Sequence, residues 1–305
     1  MVKRIVVLGA GISGVGAAVL AKKKGFEVFI SDKGKITEDN KKVLLNNEID
    51  WEENNHTFDK ILNADEVIKS PGIPDSVELI QNLKNAKIPL ISEVEFAFRY
   101  TKAKIAAITG SNGKTTTTLL LGHVLKNAGY DVLVAGNVGV GFALSIAERD
   151  YDYIVLELSS FQLDGIKNFR SDVAILLNIT ADHLDRYDYK LENYSASKFK
   201  ITENQQEQDF LVFNADDEIV KEIKTKAKKL PISLKNKQKE GGFLNKNELI
   251  IKLNNNTMTM QELALQGKHN IFNSMAAAIA ARVFEVKDSV IRQSMIDFQN
   301  VEHRL

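Results

Sequence analysis

Cysteine is missing from all 305 residues, so no disulfide, thiolate nucleophile or cysteine-ligated metal belongs to this chain. Net charge is missing too. Lys+Arg and Asp+Glu both number 40, so no global field argues for nucleic acid or an anionic membrane as a partner. Local basic stretches, KKK at 22–24 and KTKAKK at 224–229, fall at helical positions and read as solvated faces. The start, MVKRIVVLGAG, is too short and too soon broken by glycine for a signal peptide or a membrane span, which makes the cytoplasm the expected location. Proline is scarce: Pro71, Pro74 and Pro89 suit loops at strand ends in the first third, and only Pro231 follows. There is no low-complexity tract and no internal repeat.

What is present is ordinary for a folded soluble protein, 44% apolar and 26% charged, and the length favours two domains. RIVVL at 4–8 ends in Gly9, and GVGAAVLAKKKG then has helical spacing. EVFISD at 27–32, ADEVIKSPGIP at 64–74 and IPLISEVEFAFRY at 88–100 continue the alternation of strand with turn or helix. Such alternation predicts a parallel, doubly wound sheet. A second start comes with KIAAIT at 104–109, followed by a helix over GKTTTTLLLGHVLKNAG and strands at DVLVAG, YIVLELS, VAILLNI and FLVFNADD. Residues 241–260 alternate as a hairpin does, and HNIFNSMAAAIAARVFEV reads as a helix. The predicted class is α/β: a Rossmann-like domain over 1–94, a P-loop ATPase-like central domain over 95–300, and the start of a linker at 301–305.

Two glycine-rich loops open these domains. Gly9-Ala-Gly11-Ile-Ser-Gly14 follows a strand and opens a helix, and Asp32 ends the next strand, the dinucleotide fingerprint. A tight turn and free N–H groups at the helix start can hold a diphosphate, whether of a nicotinamide, a flavin or a nucleotide sugar. In TGSNGKTTT, the backbone between Gly110 and Gly113 can cradle phosphate oxygens, Lys114 neutralises the β/γ charge, and Thr115 offers a hydroxyl to Mg²⁺. ATP binding is the reading. A Rossmann-type NAD-dependent oxidoreductase would use the first loop and leave the second idle.

Glu157 ends an apolar strand, where a buried carboxylate needs a partner, and Mg²⁺ beside ATP supplies one. His183 follows what reads as the neighbouring strand and is expected on the same rim as Glu157, as a metal or substrate contact or as a structural residue. Spacing alone does not separate Lys198 or Lys200, on a helix over 193–204, from a solvated face.

TGSNGKTT, LELSSFQL, NIT with ADHLDRY, SASKFKI, NADD, GKHNIFNSMAA and EHRL occur in the order seen in the Mur ligases. The chain resembles that family, the ATP-dependent amide-forming enzymes of peptidoglycan precursor synthesis. LELSSFQL, DHLDRY and the Rossmann-type start resemble most the branch that joins D-glutamate to UDP-N-acetylmuramoyl-L-alanine. The alanine-adding branch is the nearest alternative, and a non-catalytic nucleotide sensor a more distant one.

The resemblance implies roles position by position. Lys114, Glu157, His183 and Lys198 would form the catalytic set. Gly110, Ser111, Asn112, Gly113, Lys114, Thr115 and Thr116 would hold the ATP phosphates, with Asn270, Asn273 and Arg304 beside the nucleotide. Thr115 and Glu157 would ligate one Mg²⁺ and His183 a second, and Lys198 would carry a CO₂-derived carbamate that turns its cation into an anionic oxygen ligand. Asn137, Ser159 and Gln162 would contact the muramoyl-alanine end, and Ile12, Ser13, Asp32 and Lys33 the uridine diphosphate. One departure is plain: Gly34, between Lys33 and Lys35, stands where the compared member has arginine.

The resemblance further implies a monomer that takes UDP-N-acetylmuramoyl-L-alanine, ATP and D-glutamate, with neither nucleic acid nor membrane as partner. In this family a third domain follows the HR motif and binds the incoming amino acid. With nothing after Leu305, the expectation is a truncated chain that binds the UDP-sugar, and ATP weakly, without ligating.

Overall fold

An apolar strand, a glycine turn and a helix begin the chain, and the same unit recurs along it. The computed structural model describes residues 2–265 and 267–299. The chain divides into two compact units. The first holds the chain up to Lys102 together with Gly139–Asp150 and Phe161–Phe169, and the second holds Ala103–Val138, Tyr151–Ser160 and the chain from Arg170 on.

In the first unit, β1 (Arg4–Leu8), α1 (Ile12–Lys23), β2 (Glu27–Ser31), α2 (Glu38–Asn46), β3 (Asp50–Glu52), α3 (Phe58–Ile61), β4 (Glu66–Lys69), α4 (Glu78–Asn85), β5 (Leu90–Ile91) and α5 (Glu93–Phe98) follow one another. The sheet order is β3-β2-β1-β4-β5, all parallel. Residues 5–8 are fully buried, as a central strand covered on both faces requires. Because β1 feeds β2 on one side and β4 lies on the other, a crevice opens at its carboxyl end. Thr37 and Ser92 cap α2 and α5 by accepting the N–H of Asn40 and Glu95.

The second unit opens with β6 (Lys104–Thr109), α6 (Lys114–Asn127) and β7 (Val132–Gly136). The segment that follows, α7 (Phe142–Glu148), packs with the first unit on α1 and α5. β8 (Tyr153–Glu157), α8 (Ser160–Leu163), β9 (Val173–Leu176), α9 (Leu191–Phe199), β10 (Phe210–Asn214), β11 (Lys228–Ser233), β12 (Gly241–Asn245), β13 (Glu248–Leu253), β14 (Asn256–Met260), α10 (Lys268–Val283) and α11 (Asp288–Asp297) complete the chain. The nine strands run β14-β13-β12-β11-β10-β9-β6-β8-β7, parallel from β7 to β12 and antiparallel beyond. Residues 276–281 of α10 are wholly buried, so its alanines let neighbours approach from every side.

Three differences from the sequence reading stand out. KTKAKK at 224–229 is not helical: Lys228 and Lys229 begin β11, and their ammonium groups lie over the Phe210 and Phe213 rings of β10. The break placed at 94 falls inside α5, whereas the first unit runs to Lys102 and recruits two later segments. The expected hairpin over 241–260 is a three-strand antiparallel meander. Arg304 and the linker expected at 301–305 lie outside the described residues.

Candidate active site

The loop between β6 and α6 is laced to the chain just beyond β9. Ser111 and Asn112 donate their N–H groups to Asn178, at 2.9 Å to its carbonyl and 2.8 Å to its side-chain oxygen. The Asn178 amide returns a bond to the Asn112 carbonyl, and the Ser111 hydroxyl bonds both N–H and C=O of Thr180. The first half of the loop has therefore committed its donors to the scaffold. Those of Gly113, Lys114, Thr115 and Thr116 carry no hydrogen bond among the described residues, and they form the positive end of α6. Gly113 sits at φ +85°, a conformation that favours glycine, and a Cβ there would meet the Asn273 side-chain oxygen at 2.5 Å, so that amide would have to turn aside.

Lys114 Nζ lies 3.0 and 2.9 Å from the carbonyl oxygens of Gly110 and Ser111. Lys198, on α9, reaches the same Gly110 carbonyl at 2.9 Å and lies over the Tyr194 ring. It is not a solvated-face lysine: its side chain is 2% exposed. Burial and the neighbouring Lys114 pull its pKa down to about 7, against a smaller opposing pull from Asp182.

Glu157, at the end of β8, is 1% exposed. The Thr115 hydroxyl donates to its Oε2 at 2.8 Å and the Asn137 amide to its Oε1 at 2.9 Å. Lys114, Thr115, Asn137 and Glu157 thus gather at one mouth of the sheet. His183 follows β9, and β6 lies between β8 and β9, so Glu157 and His183 leave strands that are not adjacent, contrary to the sequence reading. His183 is more than half exposed in a left-handed turn, with Nε2 3.6 Å from Asp182 Oδ2. No group of three His, Cys, Asp or Glu gathers as a metal centre among the described residues.

Beside the loop is a cavity of about 970 Å³ lined by Asn112, Gly113, Thr116, Asn270 and Asn273. Asn178, Asn214, Asp216, Lys235 and His269 line it too, and sequence reasoning gave none of them a role. NIT and NADD contain three of the five, and their position just past strand ends was the available signal.

In the first unit a cavity of about 860 Å³ sits at the carboxyl ends of β1, β2 and β4. Asp32 and Lys33 line it, and Asp32 accepts the N–H of Ala10 at 2.6 Å and of Gly34 at 2.7 Å, tying the glycine loop to the end of β2. Ile12 is largely exposed and Ser13 half-buried at the start of α1. Gln162 is buried in a segment of the first unit, and Ser159 is half-buried in the second.

Residues 108–281 match the family model described as Mur ligase middle domain, and residues 4–79 that described as MurD N-terminal domain. The UDP-N-acetylmuramoylalanine–D-glutamate ligase of Christiangramia forsetii is 50% identical over 311 residues, covering 100% of this chain and 70% of the relative. The enzyme of that name from Bacteroides fragilis is also 50% identical, covering 99% and 69%. Among solved structures, the UDP-N-acetylmuramate–alanine ligase of Thermotoga maritima shares the fold with a TM-score of 0.60 at 21% identity, over 100% of this chain and 70% of that one. A pseudomurein peptide ligase type C from Methanothermus fervidus gives 0.57 at 25% identity, covering 99% and 71%. No helix among the described residues is long and apolar enough to cross a membrane.

Proposed function

This chain belongs to the Mur ligase family, and on that premise we propose that it is an ATP-dependent ligase joining D-glutamate to UDP-N-acetylmuramoyl-L-alanine in cytoplasmic peptidoglycan precursor synthesis. Relatives that carry that name at 50% identity support this branch over the alanine-adding one. The first unit takes the UDP-linked substrate in the crevice beside the Gly9–Gly14 loop, and the second takes ATP on the loop before α6.

The alanine carboxylate attacks the γ-phosphorus of ATP, breaking the bond to ADP and giving an acyl phosphate. The D-glutamate amine then adds to the acyl carbon, and phosphate leaves as the amide forms. Such chemistry depends on positioning and charge neutralisation rather than on a protein nucleophile. The N–H groups of residues 113–116 and the Lys114 ammonium meet the phosphates. The two oxygen donors of Thr115 and Glu157, already 2.8 Å apart, suit a hard cation completed by water and phosphate. They would hold Mg²⁺, which supplies charge neutralisation at the transferring group.

Lys198 fits a carbamate. Its buried amine sits close to Lys114 at a cost that an anionic carbamate would relieve, and with its pKa near 7 part of it is free to add CO₂. A second magnesium beside that carbamate and His183 belongs to the same proposal. Asn137 orients Glu157 and, with Ser159 and Gln162, serves the muramoyl-alanine end; Asn270 and Asn273 serve the nucleotide.

The observation that carries the reading is the convergence of Lys114, Thr115 and Glu157 at one sheet mouth. Calorimetric titration tests it. Lys114→Ala and Glu157→Gln should each weaken Mg-ATP binding by about tenfold or more, with UDP-N-acetylmuramoyl-L-alanine binding unchanged. Preference for the unalanylated sugar would move the assignment to the alanine-adding step, and unchanged Mg-ATP affinity in both variants would remove the ATP site from this loop.

A further inference from the structure

The crevice of the first unit has one wall that the sequence did not single out. Beyond β3 the chain runs through Asn54, Asn55 and His56, all lining the 860 Å³ cavity. This segment is fastened at both ends. Asn54 turns at φ +58° and donates its N–H to the Gly34 carbonyl at 3.0 Å, Asn55 reaches the Asp32 carbonyl at 3.4 Å, and Thr57 donates to Glu52 Oε1 at 2.7 Å.

Beneath it, the fully buried Ser31 hydroxyl fixes the state of the histidine. Ser31 Oγ lies 2.7 Å from Glu52 Oε1, 3.4 Å from the Asn55 carbonyl and 2.6 Å from His56 Nδ1. The carboxylate and the carbonyl can only accept, so the single hydroxyl proton goes to one of them. Nδ1 must then carry its own proton and donate to Oγ. Burial pushes the imidazole pKa below its ordinary value, against the smaller pull of Glu52 and Asp32, so the ring is neutral near pH 7. In that tautomer Nε2 is an acceptor. It has no hydrogen-bond partner among the described residues, and it belongs to a ring that lines the cavity.

We infer that His56 reads the base of the nucleotide substrate, its Nε2 accepting the N3–H of uracil, and that this contact makes the crevice prefer uridine over cytidine nucleotides. The inference rests on the reading of the first unit as the UDP-substrate site. Uracil presents a donor at N3 between two carbonyls, and Asn54, on the same wall, has an amide able to donate to one of them. Cytosine presents a lone pair at N3, which would face the lone pair of Nε2. A site built to accept a proton rejects the analogue that has none to give. His56 touches substrate here without taking part in bond making.

The whole chain should be titrated with UDP, CDP and 3-methyluridine diphosphate, with Mg-ATP binding as the control for folding. UDP should bind about tenfold or more tightly than either analogue. His56→Phe should weaken UDP by a similar factor and bring UDP and CDP together, while Mg-ATP binding stays. If the wild-type chain binds 3-methyluridine diphosphate or CDP as tightly as UDP, or if the variant keeps the discrimination, the inference is overturned while the UDP site survives. If UDP does not bind at all, the reading of the first unit falls with it. Should the variant lose Mg-ATP binding, the N-methylated nucleotide decides the matter on the unaltered chain.

Discussion

Glu93 and Lys198 are opposite in charge, yet burial drives both toward neutrality at the same pH. Glu93 opens α5, wholly inside the first unit, and its Oε1 accepts the Ala143 N–H at 2.6 Å. Burial pushes its pKa from 4.5 up to about 7, and that hydrogen bond offsets only part of the shift. Between those two values the folded chain keeps a proton that the unfolded chain has released, so stability falls as pH rises through the window. The cost is absent below the unfolded pKa and fully present above about 7. Glu93→Gln keeps an acceptor for Ala143 and removes the charge. It should raise stability above pH 7 by up to about 3 kcal/mol and leave it unchanged near pH 4, as thermal melts across pH would read. An equal gain at both ends would show that the charge is not the cause. For Lys198 the free amine grows as pH rises through about 7. Isotope-labelled bicarbonate should therefore give a carbamate carbon resonance that strengthens over that range and vanishes in Lys198→Arg. Persistence of the signal in the variant would place the carbamate elsewhere.

The elements legible in the sequence are those whose signal is local. β1, β2, β6, β8, β9 and β10 are short apolar runs bounded by turns, and α6 and α10 have long helical spacing without internal proline, so their positions were readable. β11 was not. Its two leading lysines mask the apolar Leu230 and Ile232, which are buried only because β10 and β12 flank them. Among the site residues, Lys114 and Glu157 were legible because each sits at a junction, a glycine–helix start or a strand end, where α/β folds gather their ligands. Asn178 and Thr180 were not, because their bonds to the loop span 66 to 69 residues and no window holds both partners. Separations of 21 and 25 residues likewise hide the tautomer of His56, which depends on Ser31 and Glu52 meeting across β2 and β3.

Connectivity between the units was the least readable feature. The sequence read as two successive stretches, whereas the chain passes from one unit to the other at 102/103, 138/139, 150/151, 160/161 and 169/170. Periodicity identifies a helix but not the sheet it packs on, so α7 could not be assigned to the first unit from its own residues. That assignment has a physical consequence. A seven-residue helix does not persist alone, and α7 is held by α1, by α5 and by the Glu93 carboxyl at its first turn. On α1, a Cβ at Gly16 would stand 3.0 Å from the Leu144 nitrogen and 3.1 Å from its Cβ, so a larger side chain must push the two helices apart. Gly16→Val should cost about 1–3 kcal/mol. α7 is joined covalently at both ends to β7 and β8, so cooperative loss of both units on its undocking is the expected outcome. The variant should therefore melt in one calorimetric transition at lower temperature, with faster hydrogen exchange through 139–150 before the rest. Two separated transitions, with the upper one unmoved, would mean that the segment is a passive connection and that the units fold independently.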